Sequence, residues 1–304
     1  MSVTDTLFSV ELPFVETNEE LEKVKQLYPT LDPYFIASGC IQERRAKFDA
    51  LWKDFKPYAD RHFLKQMQIN FHQRSWEMYV TNVLLKNEFQ ISSQNEGPDL
   101  IVNDDVYMEC IAPTKGDAGK PDSVPPMHVV TNQAEMVVQG VPTDKMILRI
   151  TQSFKEKTLA QYNKWKNKDW FDPKSPFVIA INTGDLEHVE DPNMPNVLKA
   201  LFGFQFLQIN IKNGATSFSY RDQVDKSNRA PVAVNIFLDS NFSFVSGVLF
   251  SSDLVLNHPE NIRDDCIFVN NPFADNQVDK SFIRPFKSWT ANKEDNEVRL
   301  TKNH

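Results

Sequence analysis

Glycine is scarce in this sequence, with 9 glycines against 18 prolines among 304 residues. Loops that cradle nucleotide phosphates need glycines at fixed spacing, because a side chain would keep the backbone away from the phosphate. Neither G-x-G-x-x-G nor G-x-x-x-x-G-K-[ST] occurs anywhere in the chain. The sequence therefore argues against a dinucleotide-binding site and against a P-loop.

Cysteine and long apolar runs are also rare. The three cysteines, Cys40, Cys110 and Cys266, lie far apart and form no C-x-x-C pair, so neither a thiolate zinc site nor a disulfide framework is supported. No segment approaches the ~18 apolar residues that span a bilayer, and the N-terminus lacks the regions of a signal peptide. We expect a cytoplasmic protein with no membrane partner. Secretion by a route without a cleavable signal stays open.

Two further catalytic signatures are missing. The six histidines show neither H-x-x-x-H nor H-E-x-x-H spacing, and no G-x-S-x-G occurs, which disfavours a zinc peptidase and a serine hydrolase. The net charge of −8 opposes non-specific attraction to nucleic acid. The lysine-rich segment 155–168 nevertheless leaves room for a local basic groove.

The residues that are present indicate helices followed by strands. Residues 17–90 have apolar positions at helical spacing, and Thr17 with Glu20 forms a capping-box pattern at their start. The last third is rich in short β-type runs. This order predicts an α/β (α+β) fold in which a mixed central β-sheet is flanked by helices.

The same pattern suggests a division of the chain into three parts. We predict a helical N-terminal extension (1–60), an α/β domain that includes the β-rich C-terminal part (61–287) and a charged, frayed tail (288–304). Residues 146–150 are predicted to be a strand that runs into a helix capped by Thr151. The Gly/Pro-rich segment 115–128 is predicted to be a loop, long enough for a lid.

The most unusual segment is "GPDLIVNDDVYMECIAPTKG", residues 97–116. It predicts a hairpin in which alternate side chains of the second strand point to opposite faces, so that Asp99 and Glu109 project to the same side. Two neighbouring carboxylates repel each other unless a cation lies between them. Mg²⁺, or Mn²⁺, would suit this pair, with the carbonyl oxygen of Cys110 as the third ligand. The alternative is that Asp99 caps a turn and Glu109 faces solvent on an edge strand.

The order of sequence blocks resembles a known superfamily. A helix with Glu77, then "GPDL", "VYMEC" and another helix resembles the PD-(D/E)XK, or restriction-endonuclease-like, nucleases. The ordered set of blocks across residues 71–274 more closely resembles a group of uncharacterised bacterial proteins. The resemblance implies a four-stranded mixed core sheet and Mg²⁺-dependent hydrolysis of phosphodiester bonds in nucleic acid. It also implies that Asp99 and Glu109 are metal-binding acids and that Glu77 is an accessory acid.

The chain departs from the superfamily pattern at one position. Ile111 stands where the superfamily has a lysine, and an isoleucine cannot orient water or stabilise negative charge. Some members supply this lysine from a neighbouring helix. Four residues spaced by four share roughly one face of the helix predicted here, and Lys157 and Gln161 are the catalytic candidates among them: Arg149, Ser153, Lys157 and Gln161.

Simpler interpretations of these residues stay open. Lys157 is one of several lysines on this helix, so it fits a solvated surface equally well. Glu77 lies near the apolar Val80 and Leu84, which favours an inward position, but an exposed helical glutamate is common. The segment Asn270-Asn271-Pro272 is interpreted as the exit of a strand into a turn.

Three functional hypotheses follow from the sequence. The first is a Mg²⁺-dependent nuclease that uses Glu77, Asp99, Glu109, Lys157 and Gln161. The second is a nuclease-fold protein that no longer cuts and instead binds a partner, which Ile111 and the acidic net charge favour. The third is a metal-dependent hydrolase of a smaller substrate.

Overall fold

The computed structural model of this chain describes residues 6–94, 96–127, 139–188, 190–209, 211–214, 216–294 and 297–303. His304 and His128, the last residue of the predicted loop 115–128, lie outside these ranges. The helices, numbered in chain order, are α1 (Asn18–Leu27), α2 (Pro33–Cys40), α3 (Gln42–Phe55), α4 (Phe63–Met67), α5 (Phe71–Lys86), α6 (Thr143–Trp165), α7 (Asn196–Phe202) and α8 (Lys280–Ile283). Among the described residues, none of the helices has the length and apolarity needed to cross a membrane.

The strands build one large sheet and two small ones. The strands are β1 (Ile91–Ser92), β2 (Leu100–Val102), β3 (Val106–Ile111), β4 (Phe177–Asn182), β5 (Phe204–Ile209), β6 (Thr216–Tyr220), β7 (Gln223–Asp225), β8 (Pro231–Ala233), β9 (Gly247–Ser251), β10 (Ile267–Asn270), β11 (Lys287–Glu294) and β12 (Glu297–Asn303). The large sheet has the order β1-β2-β3-β4-β9-β10-β11-β12, while β5-β6 and β7-β8 form separate pairs.

The large sheet is mixed, as predicted. Its strands β1, β2 and β3 are antiparallel, whereas β3, β4 and β9 are parallel to one another. β10 is antiparallel to β9, β11 is parallel to β10, and β12 is antiparallel to β11. Because parallel strands end at the same edge, the carboxyl ends of β3, β4 and β9 lie side by side.

Helices cover both faces of the central strands. Val106, Met108 and Cys110 of β3 join a buried cluster that includes α5 and the N-terminal helices. Tyr107 and Ile111 join a second cluster that includes α6 and α7. This alternation confirms the two faces predicted for β3. The predicted boundaries near residues 60 and 287 stay predictions.

The turn between β2 and β3 follows from local sequence. Asn103 and Asp104 both have positive φ, at 52° and 57°. The N–H of Asp105 donates to the carbonyl of Val102, which closes a turn of the type that matches strand twist. Asparagine and aspartate are the non-glycine residues that enter this conformation most readily. The "NDD" segment therefore fixes the hairpin register that places Asp99 beside β3.

The capping box at α1 is confirmed. The Thr17 side chain accepts from the N–H of Glu20, and the Glu20 carboxylate accepts from the N–H of Thr17. These reciprocal hydrogen bonds satisfy backbone donors that the first turn of a helix leaves free.

The strand predicted at residues 146–150 is wrong. These residues belong to α6, which begins at Thr143, and Thr151 is a buried residue inside the helix instead of its cap. Met146, Ile147, Ile150 and Phe154 are all buried, at spacings of one, three and four residues. That spacing marks the inward face of a helix, and it outweighs the β propensity of the short apolar run.

The frayed C-terminal tail is also wrong. Residues 287–294 and 297–303 form β11 and β12, which pair along their length and extend the large sheet. Trp289, Ala291 and Val298 are buried against the α6 side of the core. Apolar residues at every second position anchor these strands even though charged residues dominate the composition.

The burial of Trp289 gives a stability prediction. This side chain is 8% exposed, so we expect Trp289→Ala to lower the free energy of unfolding by about 3 kcal/mol, since large-to-small changes leave a cavity. Thr301→Ala, at an exposed position on the paired strand, is the control and should change it by less than about 0.5 kcal/mol. Urea denaturation followed by circular dichroism measures both. Equal effects of the two substitutions would show that the C-terminal strands do not contribute to the core.

Candidate functional site

A polar cluster lies at the carboxyl end of β3, between α5 and α6. Asp99 precedes β2, Glu109 lies on β3, and Lys157 and Gln161 lie on α6. Glu77 lies on α5. The hairpin therefore supplies two acids, α5 supplies the third acid, and α6 supplies the amine and the amide.

Lys157 is the centre of this cluster. Its Nζ lies 2.9 Å from Glu109 Oε1 and 3.6 Å from Asp99 Oδ2. It also donates to the backbone carbonyl of Cys110 at 2.5 Å. The side chain is only 31% exposed, so the interpretation of Lys157 as a solvated surface lysine is wrong. The ammonium lies against the same three groups that were expected to hold a metal ion.

The backbone N–H and carbonyl of Cys110 are both held by side chains. Its N–H donates to Asp99 Oδ2 at 2.8 Å, and its carbonyl accepts from Gln73 Nε2 at 2.8 Å as well as from Lys157. Gln73 Oε1 accepts from the N–H of Ala112 at 2.9 Å. Both lone pairs of the Cys110 carbonyl are therefore used.

Glu109 is buried in the middle of the sheet. It is 1% exposed, and β3 lies between β2 and β4, so the edge-strand interpretation of this residue is wrong. Oε1 accepts from Lys157 and, at 3.5 Å, from Gln161 Nε2. Oε2 is buried and has no hydrogen-bond partner among the described residues. Such an unsatisfied carboxylate oxygen is costly and indicates a missing donor or cation.

Glu77 is held from its own helix. Arg74 Nη1 donates to Glu77 Oε2 at 2.6 Å, and Arg74 Nη2 lies 3.6 Å from Asp60 Oδ2. Glu77 is 6% exposed, which agrees with the inward position. The arginine supplies the partner that a buried carboxylate needs.

Burial and mutual repulsion set the protonation of the cluster. Burial, followed by the negative charge of Asp99, raises the pKa of Glu77 and of Glu109 from 4.5 to about 8. Burial lowers the pKa of Lys157, but Asp99 and Glu109 outweigh it and raise this pKa above its ordinary value. Because the acids interact, they titrate as a unit. Lys157 stays protonated at neutral pH and is a charged hydrogen-bond donor, not a base.

Ile111 has a structural role instead of the role of the superfamily lysine. It is 2% exposed and packs in the core beneath α6. Lys157 brings its amine to the acids from that same helix. Arg149, on the same predicted stripe, instead donates to the backbone carbonyl of Thr114. Lys157 and Gln161 of this stripe therefore contact the site, whereas Arg149 contacts the loop after β3.

Sequence reasoning missed Gln73 and Arg74. Gln73 lies four residues before Glu77 on α5, and this spacing places both side chains on one face of the helix. That spacing was the available signal. Asn271, by contrast, donates to the carbonyl of Val245 and accepts from the N–H of Phe273, so it stabilises a turn, as the sequence suggested.

A second polar network, also missed, follows β4. The hydroxyl of Tyr34 lies 2.9 Å from Asp185 Oδ1 and 2.5 Å from Glu187 Oε1, and Lys115 lies 2.6 Å from Glu187 Oε2. One hydroxyl proton cannot be donated to two carboxylates, so a second proton is needed. Burial raises the pKa of Asp185 above its ordinary value. The signal was the polar run "NTGDLE" directly after a buried strand.

The cluster fits a hard cation only in part. Within the described ranges, no group of three or more Asp, Glu, His or Cys side chains is arranged to hold a metal ion. Asp99, Glu109 and the Cys110 carbonyl offer oxygen ligands, and the unsatisfied Oε2 of Glu109 fits such an ion. Lys157, however, contacts all three groups, so a divalent ion would have to share them with the ammonium or displace it.

Comparisons of the chain with protein-family models, with curated proteins and with solved structures found no match. The chemistry of the site therefore rests on its own geometry.

The pKa shifts give a prediction of how stability depends on pH. Because folding raises the pKa of Glu109, the folded state binds more protons than the unfolded state between pH 4.5 and about 8, and stability falls as pH rises through this range. Burial lowers the pKa of His72 from 6.5 to about 3, which opposes this trend only below pH 6.5. Between pH 6.5 and 8 we expect Glu109→Gln to lose stability less steeply than the wild type. Urea denaturation in chelator-containing buffer measures this, and identical slopes would contradict it.

Proposed function

We propose that this protein is a metal-dependent phosphodiester hydrolase, a nuclease of the PD-(D/E)XK type that acts on nucleic acid. One observation carries the proposal: Asp99 and Glu109 from a hairpin meet the ammonium of Lys157 from a neighbouring helix, all within 3.6 Å. A pair of acids with an adjacent lysine is the set of groups that the superfamily uses. Here the lysine comes from α6 in place of position 111.

The connections around the site support the same proposal. An antiparallel meander of β1, β2 and β3 is followed by the crossover helix α6 and by β4, parallel to β3. This arrangement agrees with the mixed core sheet that the resemblance implies. On this proposal, the implied core has four strands, and the other strands of the eight that the described residues place in the large sheet are additions to it.

Mg²⁺ or Mn²⁺ would be held by Asp99 and Glu109, with the Cys110 carbonyl as a further oxygen ligand. When bound, such an ion supplies Lewis-acid stabilisation of phosphoryl oxygens and lowers the pKa of a bound water. We expect both acids to be ionised for binding, because a protonated carboxyl is a poor ligand.

The residues of the chain supply positioning and charge. Lys157 is a protonated donor that stabilises negative charge as it develops on the phosphate. Gln161 restrains the Glu109 carboxylate, and Gln73 holds the Cys110 carbonyl. Glu77, paired with Arg74, lies beside these groups as an accessory acid. These groups are fixed before any substrate arrives.

A binding module without catalysis is the second candidate. The Lys157 ammonium already lies against Asp99 and Glu109, where a divalent ion would bind. Three buried free cysteines suit the reducing cytoplasm, where we place the protein in either case.

The first experiment tests cleavage. The purified chain is incubated with Mg²⁺ or Mn²⁺ and labelled single- and double-stranded DNA and RNA, and with a small chromogenic phosphodiester. We expect metal-dependent cleavage that Asp99→Asn lowers by about 10²- to 10⁴-fold, because the substitution removes a ligand charge. Asp104→Asn, in the turn of the same hairpin, is the control. Metal-independent or undetectable hydrolysis across the panel would favour the binding module.

The second experiment separates the two roles of Lys157. We expect Lys157→Met to lower cleavage by about 10²-fold or more, because the phosphate loses a charged donor. The same variant should bind Mn²⁺ more tightly, because the competing ammonium is gone. Titration calorimetry measures the affinity.

Lys164→Met, at an exposed position on the same helix, should change neither quantity. Weaker Mn²⁺ binding by Lys157→Met would show that the ammonium and the metal do not share these oxygens.

A further inference from the structure

A basic groove lies at the end of α5, on a part of the surface that the site described above does not use. It has a volume of about 540 Å³. Three chain segments meet there: the C-terminal end of α5, the residues before β10 and the start of β11. The groove is defined by the four cationic residues that line it, Lys86, Arg263, Arg284 and Lys287.

Among the residues that the structure describes, these cations have neutral hydrogen-bond acceptors and no carboxylate partners. Arg263 Nη1 donates to the side-chain oxygen of Asn87 at 3.4 Å, and Lys287 Nζ donates to the backbone carbonyl of Asp264 at 2.6 Å. Both acceptors are neutral. Among the described ion pairs, none joins any of the four cations to a carboxylate.

The local balance of charge is opposite to that of the chain. Four cations and two acids, Glu88 and Asp264, line the groove, which leaves an excess of two positive charges. The whole chain carries −8. Asp264 is also engaged elsewhere, since its Oδ1 accepts from Asn261 at 2.7 Å. A concave surface with one sign of excess charge attracts ligands of the opposite sign.

The groove is built on a packed base. Phe286 lines it and is 7% exposed, and its ring contacts the buried Phe282. The hydrogen bond of Arg263 joins the segment before β10 to the end of α5, and that of Lys287 joins the start of β11 to the segment before β10. The cations are therefore held on a rigid base, which lowers the entropic cost of binding.

We propose that this basic groove binds the phosphodiester backbone of a nucleic acid strand, at a distance from the carboxylate site. The inference rests on the proposed function for its choice of polymer. Lys86 lies nine residues after Glu77 on α5, which corresponds to about 14 Å along the helix axis. At about 3.4 Å per nucleotide of one duplex strand, the axial distance alone corresponds to about four nucleotides. Nine residues are also about two and a half turns, so Lys86 and Glu77 lie on opposite sides of α5, and a strand that reaches both would follow a longer path around the end of the helix.

The test is a binding experiment on the full chain with chelator present, so that nothing is cut. Fluorescence anisotropy follows labelled DNA and RNA, single- and double-stranded, of about 20 nucleotides, at several salt concentrations. The variant is the double substitution Lys86→Gln with Arg284→Gln. Both side chains are exposed, so the fold should be retained.

We expect the double variant to lower the slope of log affinity against log salt by about 1.5, since each phosphate contact contributes about 0.7 to 0.9. If wild type and variant bind equally at about 1 M salt, this difference in slope makes the variant bind about 30-fold more weakly than the wild type at about 0.1 M salt. The matched control is Lys53→Gln with Lys65→Gln, which removes the same charge from exposed positions on α3 and α4. It should leave the slope unchanged.

Three outcomes overturn the inference: no binding by the wild type, equal losses in variant and control, or competition by an acidic peptide as effective as by nucleic acid. The cleavage assay decides the proposed function separately. Salt-sensitive binding through the groove without any cleavage would reject the nuclease and keep the groove. Cleavage that the groove substitutions do not affect, with unchanged binding, would reject the groove and keep the nuclease.

Discussion

The ion pair between Lys157 and Glu109 is the constraint on which this site depends. A carboxylate that is 1% exposed on a central strand is unstable as an ion without a charged partner. Lys157 reaches it from α6, where the buried Phe154 lies three residues earlier in the chain. A shift of α6 relative to β3 would therefore move the ammonium away from Glu109 and change the pKa of this acid.

The same residues connect the two faces of the sheet. The N–H of Cys110 is held by Asp99 and its carbonyl by Gln73 of α5 and Lys157 of α6. The backbone of a single residue thus joins the hairpin to one helix on each face. Fixed donors and charges of this kind are what a preorganised catalytic site requires, and they are equally suited to holding a rigid scaffold for binding. The unsatisfied oxygen of Glu109 is the feature that favours the catalytic interpretation.

The distribution of charge would reconcile an acidic chain with the proposed polyanionic substrate. Excess positive charge lies at the basic groove, whereas the ammonium of Lys157 is offset by Asp99 and Glu109. Surface acids elsewhere would repel nucleic acid and limit binding to these places. A net charge describes the long-range field, whereas binding is decided within about 8 Å at physiological salt, the distance over which charges are screened.

The sequence by itself determined the local features: the capping box of Thr17, the "NDD" turn, the two faces of β3 and the mixed sheet between helices. The cap, the turn and the two faces depend on residues only a few positions apart, so spacing and turn chemistry were sufficient. The mixed sheet was predicted only as a class, from the order of helix-type and strand-type segments. Only the tertiary structure decided which lysine reaches Glu109, that Gln73 and Arg74 join the site, that residues 146–150 are helical and that the C-terminal strands extend the sheet. These outcomes depend on contacts between residues far apart in sequence, where burial against a distant element outweighs local propensity and composition.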